Sequence, residues 1–333
     1  MRLSSSDIHE RIARSRALPY AYSGAKPFRE QQAAVEECFR RLVGVLEKQT
    51  EPRPIVEFVD TSDGRFDEIR FRYESEPDFF VPAHLLLPKH YEGRLPAVIC
   101  LQGHTTGMHI SLGRAKYPGD EKSISGGDRD FAIQAVARGY AAVAVEMRGF
   151  GELRPTVGAS ERCAHIALQA FELGRTLIGE RIGDISRLID AMASFEMLDP
   201  GRIGLMGNSG GGTAAYHAAC LEKRIGAAMP SCAFCPFAGS SMVVRHCYCN
   251  YIPGILKYME MPDEALMLAP RPLVIVAGRE DAISPLGSVL EGFEKVREIY
   301  AAAGATDNCR LVIGGEGHRF YSAQAWPVFG RFL

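Results

Sequence analysis

The sequence lacks any block of charge of one sign and any long apolar run. Its 38 Lys and Arg residues nearly balance its 40 Asp and Glu residues, so the formal net charge is −2 at pH 7. Nucleic-acid-binding surfaces need clustered basic residues, and none occur here. A membrane-spanning helix needs roughly 20 consecutive apolar residues, and no window approaches that length. We therefore predict a globular protein with neither a nucleic-acid nor a membrane partner.

An export signal is also lacking. The first 20 residues contain no apolar segment of the length that a secretory signal peptide requires. The nine cysteines are an odd number, which does not suit a full set of disulfides within one chain. Thiols stay reduced in the cytoplasm. We expect a cytoplasmic protein whose cysteines are free.

No internal repeat or low-complexity segment is present, and the pattern of apolar residues changes along the chain. After Pro27, apolar residues recur at helical spacing as far as Leu46, which predicts a helix within an N-terminal extension over residues 1–51. Alternating residues at 55–59, 69–73 and 81–87 predict antiparallel strands. From residue 96 onward strands and helices alternate. The sequence therefore predicts an α/β fold with a mostly parallel central sheet and helices on both faces.

One stretch, residues 202–220, reads RIGLMGNSGGGTAAYHAAC. Apolar residues typical of a strand precede Gly207-Asn208-Ser209-Gly210-Gly211, and small residues suited to a helix follow. In a Gly-x-Ser-x-Gly turn the glycines allow a strand to reverse sharply into a helix, which leaves the serine exposed at the apex. A plain Gly/Ser turn is the alternative. We predict that Ser209 is a nucleophile.

Two loops that follow predicted strands carry the partners that such a serine needs. Asp281 follows the strand predicted at 272–277, and His318 follows the strand predicted at 311–313. Ligands and catalytic groups of an open α/β sheet collect beyond the carboxyl ends of its strands. An imidazole must take the proton of the serine, and a carboxylate must orient the imidazole. We predict His318 as the base and Asp281 as the acid, with Glu280 as the alternative acid.

The oxyanion of the reaction needs two hydrogen-bond donors. The backbone N–H of Gly210 directly follows the nucleophile, and a second donor is expected after the strand predicted at 97–101. We predict that this second donor is the backbone N–H of His104. Glu146 and Arg148 follow another strand, and we interpret them as a structural ion pair.

Two insertions are predicted to shape the substrate pocket. Residues 105–127 could form a lid, and residues 230–262 a cap-like insertion. The second contains Cys232-x-x-Cys235 and the run His246-Cys247-Tyr248-Cys249, which allows a zinc site. We favour buried thiols and expect no metal, because two cysteines separated by one residue are poorly placed to bind the same tetrahedral ion. Five residues are candidates for the substrate pocket: Gln102, His109, His246, Tyr248 and Tyr251.

Several segments between residues 80 and 325 resemble the α/β-hydrolase superfamily. They are VPAHLLLP at 81–88, EMRGFG at 146–151, DPGRIG at 199–204, GNSGGG at 207–212, APRP at 269–272 and GHRF at 317–320. The chain is most similar to the dienelactone-hydrolase-like and acetyl xylan esterase or cephalosporin deacetylase-like branch. This resemblance implies an α/β-hydrolase domain over residues 52–333, a serine esterase without a cofactor, and oxyanion donors at His104 and Gly210. Dienelactone hydrolases proper have cysteine where Ser209 stands.

These observations together predict a carboxylic ester hydrolase that acts through an acyl-enzyme on a small-molecule ester. A preference for small, acetyl-type acyl groups rests on the resemblance alone. Three alternatives stay open: a peptidase of the prolyl-oligopeptidase type, a carbon–carbon bond hydrolase on the same scaffold, and a non-catalytic binding protein. A homo-oligomer is equally open.

Overall fold

The computed structural model describes residues 4–48, 50–155 and 163–333, and its strands join in one sheet. Residues 1–3 and 49 of the predicted extension lie outside the described residues. The strands are β1 (Ile55–Asp60), β2 (Phe66–Glu76), β3 (Phe79–Pro88), β4 (Leu95–Leu101), β5 (Ala141–Val145), β6 (Leu198–Asn208), β7 (Ala227–Ser231), β8 (Leu273–Gly278) and β9 (Cys309–Gly314). The helices are α1 (Ser5–Ser15), α2 (Phe28–Val43), α3 (Phe131–Val136), α4 (Cys163–Glu172), α5 (Leu177–Met192), α6 (Gly210–Leu221), α7 (Ala265–Leu268), α8 (Leu286–Ala302) and α9 (Ser322–Phe329).

The sheet has the order β1-β2-β3-β5-β4-β6-β7-β8-β9 within the described residues. The pairs β1–β2, β2–β3 and β3–β5 are antiparallel, whereas the run from β5 through β4 to β9 is parallel. The parallel run brings the carboxyl ends of β4, β6, β8 and β9 to the same edge. The predicted mostly parallel sheet is confirmed.

Side chains of the central strands alternate between two apolar cores, one on each face of the sheet. In β4, Ala97, Ile99 and Leu101 enter the core that contains α2, α5 and α6, whereas Val98 and Cys100 enter the core formed with α3 and α9. Successive strand residues point to opposite faces, so a strand covered by helices on both faces is apolar throughout. The predicted placement of helices on both faces is confirmed.

The N-terminal residues contain one predicted helix and one that the sequence analysis missed. The helix predicted after Pro27 is α2, which ends at Gly44 in the left-handed conformation and buries Val35 and Phe39. Helix α1 has no buried residue, and only Ile8, Ile12 and Ala13 among its 11 residues are apolar, which is a weak helical pattern. The division of the chain at residue 51 stays a prediction. Each helix of the described ranges is too short or too polar to cross a bilayer.

Candidate active site

Ser209 is the single residue between β6 and α6. Its backbone has φ 57° and ψ −126°, a conformation that residues with a side chain rarely adopt. A side chain at Gly207 would collide with the carbonyl group of Gly211, and one at Gly211 would collide with that of Gln102. The turn is held by a hydrogen bond from the Ser209 N–H to the Ser231 carbonyl, at 2.8 Å. The two glycines therefore allow the tight reversal that presents Ser209.

Asp281 and His318 meet at the ends of β8 and β9. The Nδ1 atom of His318 lies 2.8 Å from Oδ2 of Asp281. The other carboxylate oxygen, Oδ1, accepts the backbone N–H groups of Ile283 at 2.9 Å and Ser284 at 3.3 Å. Glu280 is exposed to solvent. The carboxylate that meets His318 is therefore the one on Asp281.

The electrostatics of Asp281 favour its ionised form. Burial raises the pKa of this carboxyl, but the hydrogen bond and the charge of His318, together with the backbone N–H groups of Ile283 and Ser284, lower it further, so the net pKa lies below the usual value. The side chain is fully buried. A fixed carboxylate in this position holds the proton of the imidazole on Nδ1 and leaves Nε2 free to accept one.

Ser209 and His318 line the same cavity, which has a volume of about 40 Å³. The Nε2 atom of His318 is buried and has no hydrogen-bond partner among the described residues. No hydrogen bond joins it to the Ser209 hydroxyl within that part of the chain. Such bonds are often long in a ligand-free site and shorten when the substrate binds.

The loop after β4 lies directly against the Ser209 turn. A Cβ added to Gly103 would lie 3.0 Å from the Cβ of Ser209, and one added to Gly210 would lie 2.6 Å from the ring of His104. Gly210 is the first residue of α6, so its N–H group has no acceptor within the helix. Both residues predicted to stabilise the oxyanion are thus next to Ser209.

Of the five predicted pocket residues, only His246 lines the cavity at Ser209. Tyr248 and Tyr251 line a cavity of about 670 Å³ beside α1, and His109 lines one of about 570 Å³ beside β2 and β3. Gln102 is fully buried, and its Nε2 donates to Glu146 at 2.7 Å.

The two insertions also differ in whether they line the cavity at Ser209. Residues 230–262 supply much of the wall of the cavity at Ser209, including Phe237, Ser240, His246 and Met261. Residues 105–127 are all described, and none of them lines it. They line the cavity of about 570 Å³ instead. The segment predicted as a lid therefore lies beside another cavity.

The predicted ion pair between Glu146 and Arg148 is wrong. Glu146 accepts hydrogen bonds from Gln102 and from the Met108 N–H, and burial raises the pKa of Glu146 to about 7. Arg148 instead pairs with Asp184 at 2.8 Å. The two residues follow the end of β5, where strand alternation no longer fixes the direction of the side chains.

One residue beside Asp281 and His318 was not expected. The sulfur of Cys232 lies within 4.8 Å of ligand atoms of both Asp281 and His318, and it donates to the Arg319 carbonyl at 3.1 Å. Burial raises the pKa of Cys232 to about 12, so the thiol is protonated at neutral pH. The Cys-x-x-Cys spacing did not predict that Cys232 lies beside His318, because His318 belongs to a segment far away in the sequence.

A serine held in a strained turn between a strand and a helix, beside a buried Asp–His pair at the carboxyl edge of a mostly parallel sheet, defines an α/β-hydrolase. Residues 46–259 match the family model described as acetyl xylan esterase (AXE1), and the chain belongs to that family. The chain is therefore a carboxylic ester hydrolase of this fold. The predicted superfamily and branch are confirmed. The match ends before Asp281 and His318.

Individual proteins are similar to this chain in sequence or in fold. YtaP of Bacillus subtilis (strain 168), which is named as a hydrolase, is 28% identical over 244 residues, covering 71% of this chain and 77% of that protein. A protein from Bacteroides fragilis NCTC 9343 named as an acetyl xylan esterase has a similar structure, with a TM-score of 0.78, 20% identity, and coverage of 98% of this chain and 84% of that one. A glucuronoyl esterase from Solibacter usitatus has a TM-score of 0.71 at 15% identity, covering 96% and 97% of the two chains.

Proposed function

We propose that Ser209, His318 and Asp281 form the catalytic triad of an esterase that prefers short acyl groups, with acetyl first. One observation carries the assignment of roles. His318 binds Asp281 through Nδ1 and keeps Nε2 without a partner among the described residues, in the wall of the cavity that also contains Ser209. That is the protonation pattern a general base needs.

In the proposed reaction the Ser209 hydroxyl oxygen attacks the ester carbonyl carbon while Nε2 of His318 takes the hydroxyl proton. The backbone N–H groups of Gly210 and His104 donate to the oxyanion that forms. His318 then gives its proton to the departing alcohol, which leaves an acyl group on Ser209. A water molecule, deprotonated by the same imidazole, releases the carboxylic acid and restores the serine.

The size of the cavity supports a short acyl group. A cavity needs roughly 10–15 Å³ to hold one water molecule, so a cavity of about 40 Å³ accommodates only a few heavy atoms. Phe237, Met261 and Ile283 give its wall apolar surface. An acetyl group fits this space, whereas a longer chain extends beyond it. The family name, acetyl xylan esterase, points to the same acyl group.

A series of p-nitrophenyl esters from acetate to octanoate tests the proposal. We expect kcat/KM to fall by at least about tenfold from acetate to octanoate, since the longer chain exceeds the cavity. Ser209→Ala is expected to abolish turnover and fluorophosphonate labelling, whereas Ser288→Ala, on α8 and outside the cavity wall, keeps both. Hydrolysis by the Ser209→Ala variant at the wild-type rate would refute the roles, and equal rates for acetate and octanoate would refute the size argument.

Two further parts of the function are proposals with their own tests. The alcohol part is proposed to be a carbohydrate hydroxyl, as the family name suggests, and acetylated xylo-oligosaccharides compared with a methyl ester of glucuronic acid distinguish this from a glucuronoyl substrate. A cytoplasmic location is supported by the nine cysteines, which all lie within the described residues and are free thiols. Fractionation of the source cells measures it.

A further inference from the structure

Four metal-binding side chains from three separate segments converge beside the active site. The Nε2 atom of His104 lies 3.2 Å from the sulfur of Cys249. The sulfur of Cys163 lies 3.3 Å from that of Cys247 and 3.5 Å from that of Cys249. All four ligand atoms lie within 4.8 Å of one another. A set of three thiols and one imidazole is a Cys₃His donor set.

We propose that His104, Cys163, Cys247 and Cys249 bind a structural zinc ion. Zinc binds sulfur at about 2.3 Å and imidazole nitrogen at about 2.0–2.1 Å, so a tetrahedral site places neighbouring ligand atoms roughly 3.5–3.8 Å apart. Three of the six separations are 3.2–3.5 Å, close to this spacing, and the other three are no longer than 4.8 Å. A disulfide would need two sulfurs about 2.05 Å apart. All four positions are filled by protein, as in structural rather than catalytic zinc sites.

A buried arginine next to the cluster supplies the matching charge. Arg181 is 1% exposed, and its Nε and Nη1 atoms have no hydrogen-bond partner among the described residues. Its guanidinium interacts with the thiols of Cys163, Cys247 and Cys249. Three thiolates around a divalent ion carry a net charge of −1, which balances Arg181. A buried arginine without such a counter-charge would be strongly destabilising.

The surrounding residues enclose the site. Gly149 has φ 87°, and a side chain there would collide with Cys163. Gly210 leaves room for the His104 ring, as described above. Phe150 packs edge-on against His104, with ring centroids 5.3 Å apart. The Arg181 guanidinium lies 5.2 Å from the centroid of the Phe150 ring. This apolar cover limits exchange of the ion with solvent.

The site differs from the one weighed on the sequence alone. Cys232 and Cys235 are not part of it, and Cys247 and Cys249 instead meet Cys163 and His104 from elsewhere in the chain. A zinc ion would connect the loop after β4, the start of α4 and the insertion at 230–262. On the proposed function, where His104 donates its backbone N–H to the oxyanion, the ion would also fix one oxyanion donor in place.

Metal analysis of the purified full-length protein tests the proposal without reference to activity. We expect about one zinc per chain in the wild type and in Ser209→Ala, and loss of most of it in Cys249→Ser and Cys163→Ser. Cys309→Ser is the matched control, because this buried thiol on β9 lies outside the cluster, and it should retain zinc. Circular dichroism establishes that each variant is folded.

Cobalt substitution provides a second readout that needs no variant. Wild-type protein stripped by a chelator and given Co²⁺ should show thiolate-to-cobalt charge-transfer absorption and the visible bands of a tetrahedral site. Wild-type protein from zinc-supplemented medium that contains less than about a tenth of an equivalent of metal, and gives no such absorption, would overturn the proposal. A mass measurement that finds two of these cysteines joined as a disulfide would overturn it as well. A zinc-loaded protein without esterase activity would contradict the proposed function alone.

Discussion

Replacing Asp281 with Asn tests the proposed triad most directly, because the structure indicates how the amide would orient. In the wild type, Oδ1 accepts the N–H groups of Ile283 and Ser284, and Oδ2 meets Nδ1 of His318. In Asp281→Asn the amide oxygen keeps the place of Oδ1, because the two backbone donors require an acceptor. The NH₂ group must then face His318.

This orientation reverses the tautomer of the imidazole. An NH₂ group is a donor, so Nδ1 of His318 becomes an acceptor and its proton moves to Nε2. A protonated Nε2 cannot take the proton of Ser209. The corresponding exchange in a serine protease triad lowers kcat by about 10⁴, and at 1.36 kcal/mol per factor of ten this is about 5 kcal/mol of transition-state stabilisation. We expect kcat for p-nitrophenyl acetate to fall by roughly 10³–10⁴ with KM changed little.

Glu280→Gln is the matched control, since it makes the same chemical change one residue earlier on an exposed side chain. Its kcat should stay within about twofold of the wild type. Steady-state kinetics with both variants, together with thermal unfolding to establish that each is folded, measures the contrast. If Asp281→Asn kept kcat within tenfold of the wild type, or if Glu280→Gln lost as much, the assignment of the acid would be refuted.

Three other changes have defined outcomes. Folding raises the pKa of Glu146 from 4.5 to about 7. Between these pH values the folded state keeps a proton that the unfolded state loses. The free energy of unfolding should therefore fall by about 3 kcal/mol as pH rises from 4.5 to 7. Glu146→Gln should reduce that fall, as urea unfolding at pH 5 and pH 8 would reveal; an unchanged slope would contradict the assignment. Gly211→Ala should destabilise by about 3 kcal/mol or more through its collision with the Gln102 carbonyl, whereas Gly287→Ala, with open space around its Cβ, should stabilise α8 by about 0.5–1 kcal/mol. Equal melting temperatures for these two variants would argue against the close approach. Chelation of the proposed zinc should lower the melting temperature of the wild type by several degrees and leave that of Cys249→Ser almost unchanged, and an equal response of both would contradict it.

The contrast between Cys232 and the zinc-site cysteines also bears on function. Cys232 lies beside Asp281 and His318 and carries a protonated thiol, whereas the proposed zinc thiols lie close to the His104 ring. Oxidation of Cys232 would therefore affect the surroundings of Asp281 and His318, whereas oxidation of the proposed zinc thiols would affect those of His104. Cys232→Ser is a useful background for the kinetic experiments, because it removes the thiol nearest the triad while the proposed zinc ligands remain.

The elements that the sequence predicted are those whose cause is local. The turn at Ser209 follows from the glycines at 207 and 211, and α2 follows from the spacing of Val35 and Phe39. The strands from β4 to β9 follow from apolar runs bounded by turn residues. Helix α1 was missed because only Ile8, Ile12 and Ala13 among its 11 residues are apolar, which is a weak helical pattern. Helix α4 was missed because it has few polar residues, so its sequence does not distinguish the buried face of Cys163, Ala167 and Ala170 from the rest.

The tertiary structure decided which distant side chains meet. It gave His318 the carboxylate of Asp281 rather than Glu280, placed His246 and not Gln102 or Tyr248 at the cavity, and separated Glu146 from Arg148. It also brought Cys163 and His104 to two cysteines of the insertion. Backbone preference and apolar periodicity are properties of neighbouring residues and can be recognised in the sequence. A hydrogen bond or a ligand set between remote segments depends on loop paths and side-chain directions, which only the packed sheet and its helices fix.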